Sequence, residues 1–503
     1  MRRRWWGLLA WAMTVLGGLI ACAQPGPMPG RTATEPVTVT LVHLNDVYEI
    51  LPVEGGKSGG LARVATVIQQ LKATRTPVLT TLGGDYLSPS ALGTAIVDGK
   101  PLAGRQMVDV LNATGVDWAT FGNHEFDVSE AAFRAHLAQA GFRIVSTNVT
   151  DARGQPFSGV PTSAIVPITV DGRTIRIGLI GVTIDANRKD WVRYRDAIEA
   201  ARAEVEKLRG RTDAIVALTH LSLAQDAEFV TAVPGIDLVL GGHEHENWLM
   251  QRGPRLVPIV KADANVRSLP IVTLTFRVPG ARPDVATRLQ PIDDTIVAAP
   301  AVDAVAKQWV ERGFEAFRRQ GFTPEAVVAT STEPLDGRES TVRNRPGGLT
   351  DMIAAALARE AGTVDVAMFN GGSIRIDDVL PPGPITEYDI IRVMPFGGKT
   401  VKASFDGELL ARVLETGMNN EGLGGYLQTR GARRDNGVWL VQGKPIEPSK
   451  RYTVALNDFL LTGAETNLGF LTRANPQVHD VVELRDIRRV VIEELARTYP
   501  ARK

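Results

Sequence analysis

Two clusters of polar side chains in this sequence have the composition of a metal site. The first contains Asn123, His124 and Asp127, and the second contains His243 and His245. Each cluster comes directly after an apolar run and one or two glycines. Short side chains that offer oxygen or nitrogen lone pairs from the ends of buried strands are suited to small divalent cations. The two clusters therefore indicate a site for such ions.

Three further polar residues, Asp46, Asp85 and His220, also close apolar runs. Taken singly, an aspartate after glycine is usually a turn residue, and a histidine such as His220 is more often a satisfied core residue. The recurrence of one design along the chain favours metal binding over these alternatives. Asp85 is the natural bridging carboxylate, since one carboxylate can give an oxygen to each of two ions ~3.5–4 Å apart.

The segments between these residues alternate between short apolar runs and amphipathic patterns. Such alternation predicts an α/β sheet with helices on its faces, in which the carboxyl ends of successive strands meet at one crevice. The predicted strands are residues 37–44, 78–82, 118–121, 175–183, 214–219 and 238–240, and the predicted helices are 61–72, 104–113, 129–140 and 194–208.

A change of pattern near residue 293 marks a domain boundary. At 503 residues the chain is too long for one core. We predict a first domain at residues 37–292, a linker at 293–324 and a second domain at 325–503. The linker contains a predicted helix over 301–317. Segments 349–361, 364–369, 406–415 and 452–457 give the second domain its own α/β pattern.

The N-terminus has the pattern of a secretion signal. Three arginines follow Met1, residues 5–20 are apolar, and Cys22 is the only cysteine. The segment 1–22 resembles a bacterial lipoprotein signal, with Cys22 as the lipidation site, and 23–36 then forms a flexible tether. An ordinary cleaved signal is the alternative. A lone cysteine also excludes a disulfide framework.

The overall charge argues against a nucleic-acid polymer as partner. Lys and Arg together number 56, as do Asp and Glu. No general basic field is therefore available to attract polyanions, and positive charge that acts on a substrate must be local.

The order of the first-domain motifs resembles that of the calcineurin-like metallophosphoesterases, specifically the bacterial 5′-nucleotidase family. The resemblance rests on the motifs Asp46, Gly-Asp85, Gly-Asn-His-Glu-Phe-Asp127, Thr-His220 and Gly-His-Glu-His245. The resemblance implies a four-layer αββα domain, followed by a mixed α/β substrate-binding domain. It also implies two divalent ions (Zn, Mn, Co or Fe) and a catalytic dyad of His124 and Asp127. The implied ligands are Asp46, Asp85 and His245 for one ion, and Asp85, Asn123, His220 and His243 for the other.

One position departs from the family pattern. The family usually has histidine two residues after the first aspartate, and this chain has Tyr48. A tyrosine binds Zn²⁺ or Mn²⁺ less readily than histidine does, so Tyr48 is a candidate ligand that would hold such an ion more weakly. His245 stands where some relatives carry glutamine, and it can restore a nitrogen ligand.

Motifs of the second domain resemble the family's nucleotide-binding half. Phe396 and Phe459 would sandwich a base, to which stacking contributes ~1–3 kcal/mol. The other implied substrate residues are Arg338, Arg343, Asn370, Arg375 and Glu465. The alternative is that the two phenylalanines are core residues and that the Asn-Gly-Gly turn after Phe369 is purely structural. Gly398 and Glu465 replace an asparagine and an aspartate of relatives, which predicts looser recognition of the base.

Together these features predict a lipid-anchored, extracytoplasmic phosphoesterase that removes phosphate from nucleotides. One alternative is another hydrolase on the same scaffold: a 2′,3′-cyclic-nucleotide phosphodiesterase, a nucleotide-sugar hydrolase or a thiosulfate-ester hydrolase. The other is a non-catalytic nucleotide-binding surface lipoprotein. Oligomeric state is left open by the sequence.

Overall fold

The structure, a computed structural model, describes residues 35–501. From Pro36 onward the chain forms one compact unit. The predicted signal segment, Cys22 and all but the end of the tether lie outside the described residues. Within residues 35–501, no helix combines the length and the apolar character needed to cross a membrane.

Two six-stranded sheets form the first half of the compact unit. In the first sheet, the strands lie in the order Asp284–Pro291, Ser268–Phe276, Val37–Leu44, Val78–Leu82, Trp118–Ala119 and Arg143–Ile144. In the second, the order is Trp248–Arg252, Val257–Lys261, Leu238–Gly241, Ala214–His220, Arg173–Thr183 and Ser163–Val170. In the first sheet the strands Val37–Leu44, Val78–Leu82 and Trp118–Ala119 are parallel. In the second, Arg173–Thr183, Ala214–His220 and Leu238–Gly241 are parallel. The carboxyl ends of each set therefore lie along one edge of their sheet.

The two sheets pack face to face through an apolar layer to which both contribute. Leu41 and Leu79 of the first sheet pack in the same cluster as Leu179, Leu218 and Leu240 of the second. The helices Leu61–Lys72, Arg105–Thr114 and Pro300–Arg319 cover the outer face of the first sheet, and Ala197–Leu208 and Leu223–Ala232 cover that of the second. The layers follow the order helix, sheet, sheet, helix.

A five-stranded mixed sheet forms the frame of the second half. Its strands lie in the order Leu427–Arg430, Val366–Asn370, Arg451–Asn457, Lys399–Asp406 and Val478–Asp486. The helices Gly348–Ala361 and Ile487–Thr498 pack on one face and Gly407–Asn419 on the other. The predicted α/β class, with a mixed second domain, is therefore confirmed.

The remaining elements are short. The helices are Glu130–Gln139, Glu339–Val342 and Glu387–Val393. A three-stranded sheet consists of Ala432–Asp435, Val438–Val441 and Lys444–Pro445. Two-stranded pairs are Ile96–Val97 with Lys100–Pro101, Val149–Asp151 with Val192–Tyr194, Val327–Ser331 with Gly383–Thr386, and Leu335–Asp336 with Val379–Leu380.

Most predicted elements coincide with observed ones, but two of the predicted bounds are wrong. The predicted helix 194–208 begins only after Asp196, whose side chain accepts the N–H of Glu199 and caps the helix, while Tyr194 ends a strand. The predicted strand 118–121 stops at Ala119 because the chain leaves the sheet to form the site. The predicted domain bounds stay a prediction. The predicted linker helix is present as Pro300–Arg319, and it packs on helices of the first half.

Candidate metal centre and active site

Strand ends from both sheets of the first half converge on one crevice. Asp46 and Asp85 follow adjacent parallel strands of the first sheet, and Asn123 follows the next strand. His220 ends a strand of the second sheet, and His243 follows the neighbouring strand. Residues that are far apart in sequence therefore meet because parallel strands deliver their carboxyl ends to the same edge.

Two glycines of the motifs allow the loops to approach each other closely. A Cβ on Gly122 would overlap the carboxylate of Asp85. A Cβ on Gly242 would lie 2.8 Å from Oδ2 of Asp46, closer than real Cβ contacts come. The glycines that precede the polar clusters are therefore required by the tight packing of backbone around the two carboxylates.

The two buried carboxylates share a tyrosine. The hydroxyl of Tyr48 lies 3.2 Å from Oδ1 of Asp46 and 3.2 Å from Oδ2 of Asp85. It also lies 2.9 Å from Nε2 of His245. Burial, followed by the charges of Asp85 and Asp46, raises the pKa of Tyr48 well above its usual range, so the hydroxyl keeps its proton. Tyr48 thus lies directly among the predicted ligands.

His220 is oriented toward the carboxylates. Its Nδ1 lies 2.7 Å from the carbonyl oxygen of Gly83, which leaves Nε2 facing the site, 3.2 Å from Oδ2 of Asp85. Burial opposes protonation, but the charges of Asp85 and Asp46 raise the pKa of His220 to about 9. The pocket therefore attracts positive charge, and a cation that displaced this proton would satisfy the carboxylates.

His243 presents a neutral imidazole to the same space. Its ring lies edge-on to that of His220, with 5.3 Å between the centroids. Burial, and then the nearby His220, lower the pKa of His243 to about 4. A neutral imidazole keeps a lone pair free, which is the form that coordinates metal ions.

The donor set fits divalent cations. Ligand atoms of Asp46, Asp85 and His220 all lie within 4.8 Å of one another. Oδ1 of Asn123 is buried and has no hydrogen-bond partner. A buried polar atom without a partner is costly, so this oxygen indicates that a ligand is to be bound there. The mixture of carboxylate, amide and imidazole donors suits Zn, Mn, Co or Fe ions.

Four of the predicted ligand residues have backbone conformations that L-residues rarely adopt. The φ angles are +52° at Asp46, +56° at Asp85, +85° at His243 and +59° at His245. Each such conformation costs about 1–3 kcal/mol and persists only where the surrounding structure imposes it. Concentration of this strain at the candidate ligands agrees with a preorganised site.

The predicted catalytic dyad is formed. Nδ1 of His124 lies 2.6 Å from Oδ2 of Asp127, and both side chains are partly exposed. Asn187, which the sequence analysis missed, donates from Nδ2 to Oδ1 of Asp127 at 3.0 Å. Asp127 therefore holds the imidazole of His124 so that Nε2 points away from the Asp127 carboxylate. This Nε2 lies 3.5 Å from a guanidinium nitrogen of Arg375.

Glu125, between the two dyad residues, binds backbone instead of substrate. Its buried carboxylate accepts N–H groups from Asp85, Tyr86, Leu87 and Gly122. Burial, and then the charge of Asp85, raise its pKa to about 7. This carboxylate ties the loop of Asp85 to the loop of Asn123.

The predicted arginines of the second half have different surroundings. Arg375 is largely buried, and it shares the carboxylate of Glu339 with Arg343. The Nε atoms of Arg375 and Arg343 are buried and lack hydrogen-bond partners. Arg338 is half exposed, and its Nε and Nη2 donate to the carboxylate of Asp336 at 3.0 and 2.7 Å. Arg375 and Arg343 thus differ from Arg338 in keeping an Nε donor that no protein group accepts.

Asn370 and Glu465 meet in one buried network. The side-chain nitrogen of Asn370 donates to Glu465, and its Oδ1 accepts from Nδ2 of Asn457 at 3.0 Å. The network fixes the turn that carries Arg375, so Asn370 supports that arginine.

The two predicted stacking residues are not in the core. Phe396 is 60% exposed and Phe459 is 42% exposed. The guanidinium carbon of Arg375 lies 5.9 Å from the centre of the Phe396 ring. Phe396 is therefore an open aromatic face beside the arginine that reaches the dyad.

Sequence reasoning missed several residues that position the site. Nζ of Lys261, fully buried, donates to the carbonyl oxygens of Leu221 at 2.6 Å and Gly242 at 2.8 Å, and so joins the loops of His220 and His243. Asp377 contacts His245 from the second half. A fully buried lysine is rare, but a lysine at a strand end carries no local signal of this role.

Comparisons with known proteins agree with this geometry. Residues 39–247 match the family model of calcineurin-like phosphoesterases, and residues 327–471 match that of the 5′-nucleotidase C-terminal domain. Together the two matches cover more than two thirds of the chain.

Similar proteins span nearly the whole chain. Snake venom 5′-nucleotidase of Naja atra is 25% identical, in an alignment that covers 85% of this chain and 90% of that protein. Protein UshA of Yersinia enterocolitica is 24% identical, in an alignment that covers 85% of this chain and 86% of that protein.

A solved structure shares the fold. The crystal structure of a 5′-nucleotidase precursor from Thermus thermophilus has a TM-score of 0.74 at 24% identity, and covers 92% of this chain and 97% of its own. The phosphoesterase domain precedes the 5′-nucleotidase C-terminal domain in this chain. The chain therefore belongs to the 5′-nucleotidase family of calcineurin-like phosphoesterases, whose members are metal-dependent hydrolases.

Proposed function

We propose that this protein removes the phosphate from 5′-nucleotides. The observation that carries the proposal is the approach of two groups from opposite halves: Nε2 of His124 lies 3.5 Å from a guanidinium nitrogen of Arg375, beside the cluster of candidate metal ligands. An imidazole, a planar guanidinium and a cation site that face one small space are suited to a phosphoryl group.

We assign two divalent ions to the crevice, with the ligand sets that the family resemblance implies. Asp46, Asp85 and His245 would hold one ion. Asp85, Asn123, His220 and His243 would hold the other. Such ions supply Lewis-acid polarisation of the phosphoryl group and activate water for attack. Since the hydroxyl of Tyr48 lies among these ligands, it is also assigned to the site, with a weaker affinity for Zn²⁺ than histidine would give.

The residues of the chain then act on substrate as follows. The Nε2 side of His124 faces the phosphate, where a protonated imidazole stabilises charge on the transferring group and gives a proton to the leaving oxygen. Asp127 holds Nδ1 and so keeps the ring in that orientation. Arg375 binds phosphate or ribose oxygens in place of its contact with Glu339.

Base recognition is assigned to Phe396 and Phe459. Their exposed rings offer faces on which a base stacks, and stacking accepts any base. The replacements at Gly398 and Glu465 leave fewer groups to read the base edges. We therefore infer activity on several nucleotides, with weak discrimination between them.

The experiment is a chromatographic analysis of all products, nucleosides, nucleotides, sugar phosphate and inorganic phosphate, formed by the full-length chain loaded with Zn²⁺ or Mn²⁺. The substrates are 5′-AMP, UDP-glucose and 2′,3′-cyclic AMP, and the variant is His124→Ala. We expect 5′-AMP to be hydrolysed fastest and the variant to lose at least ~100-fold in kcat, the lower end for a positioned acid or base. His479→Ala is the control, because that histidine pairs with Asp406 in the second half.

Two outcomes would contradict the proposal. Preferred cleavage of UDP-glucose or of the cyclic nucleotide would assign the protein to another hydrolase class on this scaffold. Absence of turnover with every metal, combined with tight binding of 5′-AMP, would make it a nucleotide-binding protein without catalysis.

We also propose that the protein is anchored by lipid outside the cytoplasm, in the periplasm or on the outer membrane. The support is in the sequence: arginines after Met1, apolar residues 5–20 and the single Cys22. Labelling of the expressed chain with radioactive palmitate tests this, and Cys22→Ser is expected to abolish the label. Label that persists in Cys22→Ser would contradict the assignment.

A further inference from the structure

One candidate metal ligand of the first half is held by a residue of the second half. Nδ1 of His245 lies 2.7 Å from Oδ2 of Asp377, across 132 positions of sequence. The exposed fractions of the two side chains are 16% and 8%. The contact is therefore mostly shielded from water, where a charged hydrogen-bond acceptor orients its partner strongly.

The opposite edge of the same imidazole faces the metal crevice. Nε2 of His245 lies 3.4 Å from Oδ1 of Asp46 and 2.9 Å from the hydroxyl of Tyr48. A histidine ligand uses the lone pair of one nitrogen, while an acceptor holds the proton of the other nitrogen and so fixes the tautomer and the ring. Asp377 stands at the place where this acceptor is needed.

Asp377 is itself fixed by its neighbours. Its Oδ1 accepts the backbone N–H of Glu339 at 2.9 Å, at the start of the segment that carries Arg343. Its own φ angle is +39°, a conformation that the surrounding structure imposes. The same carboxylate therefore touches a metal-ligand histidine and the arginine-bearing segment.

The adjacent residue anchors the loop to the first half. Asp378 is buried and pairs with Arg392 at 3.3 Å, and Arg392 also pairs at 3.1 Å with Glu49, the residue after Tyr48. The backbone N–H of Glu54 donates to Asp378 at 3.2 Å. Because these contacts hold the loop against the first half, the carboxylate of Asp377 keeps its place beside His245.

We propose that Asp377 is a positioning residue that orients His245 toward the carboxylates of the metal crevice, so that the second half of the chain completes the metal site of the first. The proposal rests on the metal-ligand role assigned to His245 under the proposed function. Retention of metal then depends on a residue that binds neither metal nor substrate.

The experiment measures the affinity of the full-length chain for Zn²⁺ by competition with a chromophoric chelator, which does not depend on turnover. Asp377→Ala is expected to weaken binding by about 10–100-fold, the usual effect of removing the partner of a ligand histidine. Asp377→Asn is expected to weaken it less, because its amide oxygen still accepts the Nδ1 proton. Glu360→Gln is the matched control, since that carboxylate pairs with Arg485 in the second half.

A double variant separates positioning from a general effect on docking of the two halves. If Asp377 acts through His245, Asp377→Ala combined with His245→Ala binds Zn²⁺ as weakly as His245→Ala alone. Fully additive losses would overturn the proposal, as would wild-type affinity in Asp377→Ala. Thermal unfolding of each variant shows whether it is folded, and Asp377→Asn supplies the comparison if the alanine variant is not.

Failure of the proposal and failure of the proposed function give different results. If His245→Ala weakens Zn²⁺ binding and Asp377→Ala does not, only the positioning role is lost. If the wild-type chain binds neither Zn²⁺ nor Mn²⁺, both are lost.

Discussion

The buried carboxylate of Glu125 offers a test of how the site is held together. It receives four backbone N–H groups, from Tyr86 at 2.7 Å, Leu87 at 3.1 Å, Asp85 at 2.8 Å and Gly122. Each oxygen accepts two of them. In Glu125→Gln one oxygen becomes an amide nitrogen, which cannot accept, and two of the N–H groups lose their partner.

The size of the effect follows from that count. Above its pKa of about 7 the carboxyl of Glu125 is charged, and a hydrogen bond to a charged group contributes about 1.5–3 kcal/mol. At about pH 8 the loss of two such bonds therefore weakens the local structure by about 3–6 kcal/mol. Since 1.4 kcal/mol corresponds to about tenfold in an equilibrium constant, opening of these loops becomes at least about 100-fold more frequent.

Hydrogen exchange followed by mass spectrometry measures this opening. Peptides that contain Asp85 and Gly122 are expected to exchange at least about 100-fold faster in Glu125→Gln than in wild type. Glu130→Gln is the control, since that carboxylate forms an exposed pair with Arg134 worth about 1 kcal/mol or less. Equal exchange in Glu125→Gln and wild type would refute the reasoning, because it would mean that the carboxylate does not bind the two loops together.

Three further predictions concern the dyad, the base site and the pH response. Asp127→Asn, which loses the charged partner 2.6 Å from His124, is expected to lower kcat by about 100-fold in phosphate-release assays. Phe396→Ala is expected to raise KM for 5′-AMP by about 5–150-fold with little change in kcat, as the loss of one stacking face implies. Burial lowers the pKa of His136 below 6.5, so its neutral form is favoured in the folded chain, and stability falls as pH drops from 6.5 toward that lowered pKa. His136→Gln is expected to flatten this fall in thermal unfolding, whereas an unchanged pH dependence would contradict it.

The sequence was sufficient to predict the elements that deliver the site. Segments such as 37–44 and 78–82 coincide with strands, because they are rich in Val, Leu and Thr, which fit a buried pleated surface. Polar residues directly after such runs were correctly expected to converge. The glycine before Asn123 was part of the predicted motif, and the structure gives the reason for it in the nearby carboxylate of Asp85.

What the sequence did not reveal depends on contacts without a local pattern. Asp377 and Asn187 lie in loops, and neither their neighbours nor their spacing indicates that they meet His245 and the dyad. Glu339 was not expected to share its carboxylate between Arg343 and Arg375. Such pairings follow from how two halves of the chain dock, which periodicity and turn signals do not encode.

The sequence contains a signal for the start of the helix Ala197–Leu208. Asp196 caps the helix Ala197–Leu208, and aspartate before a helical pattern is a start signal. The predicted helix instead began at Tyr194, which is the last residue of a strand.

The central claim is that loops from both sheets hold two cations around Asp85. Crystals of the full-length chain grown with Zn²⁺ and measured at the zinc absorption edge test it directly by anomalous scattering. We predict two peaks about 3.5–4 Å apart, one beside Asp46 and His245 and one beside His220 and His243. No peak in the crevice, or zinc bound only at surface histidines such as His479, would contradict the account.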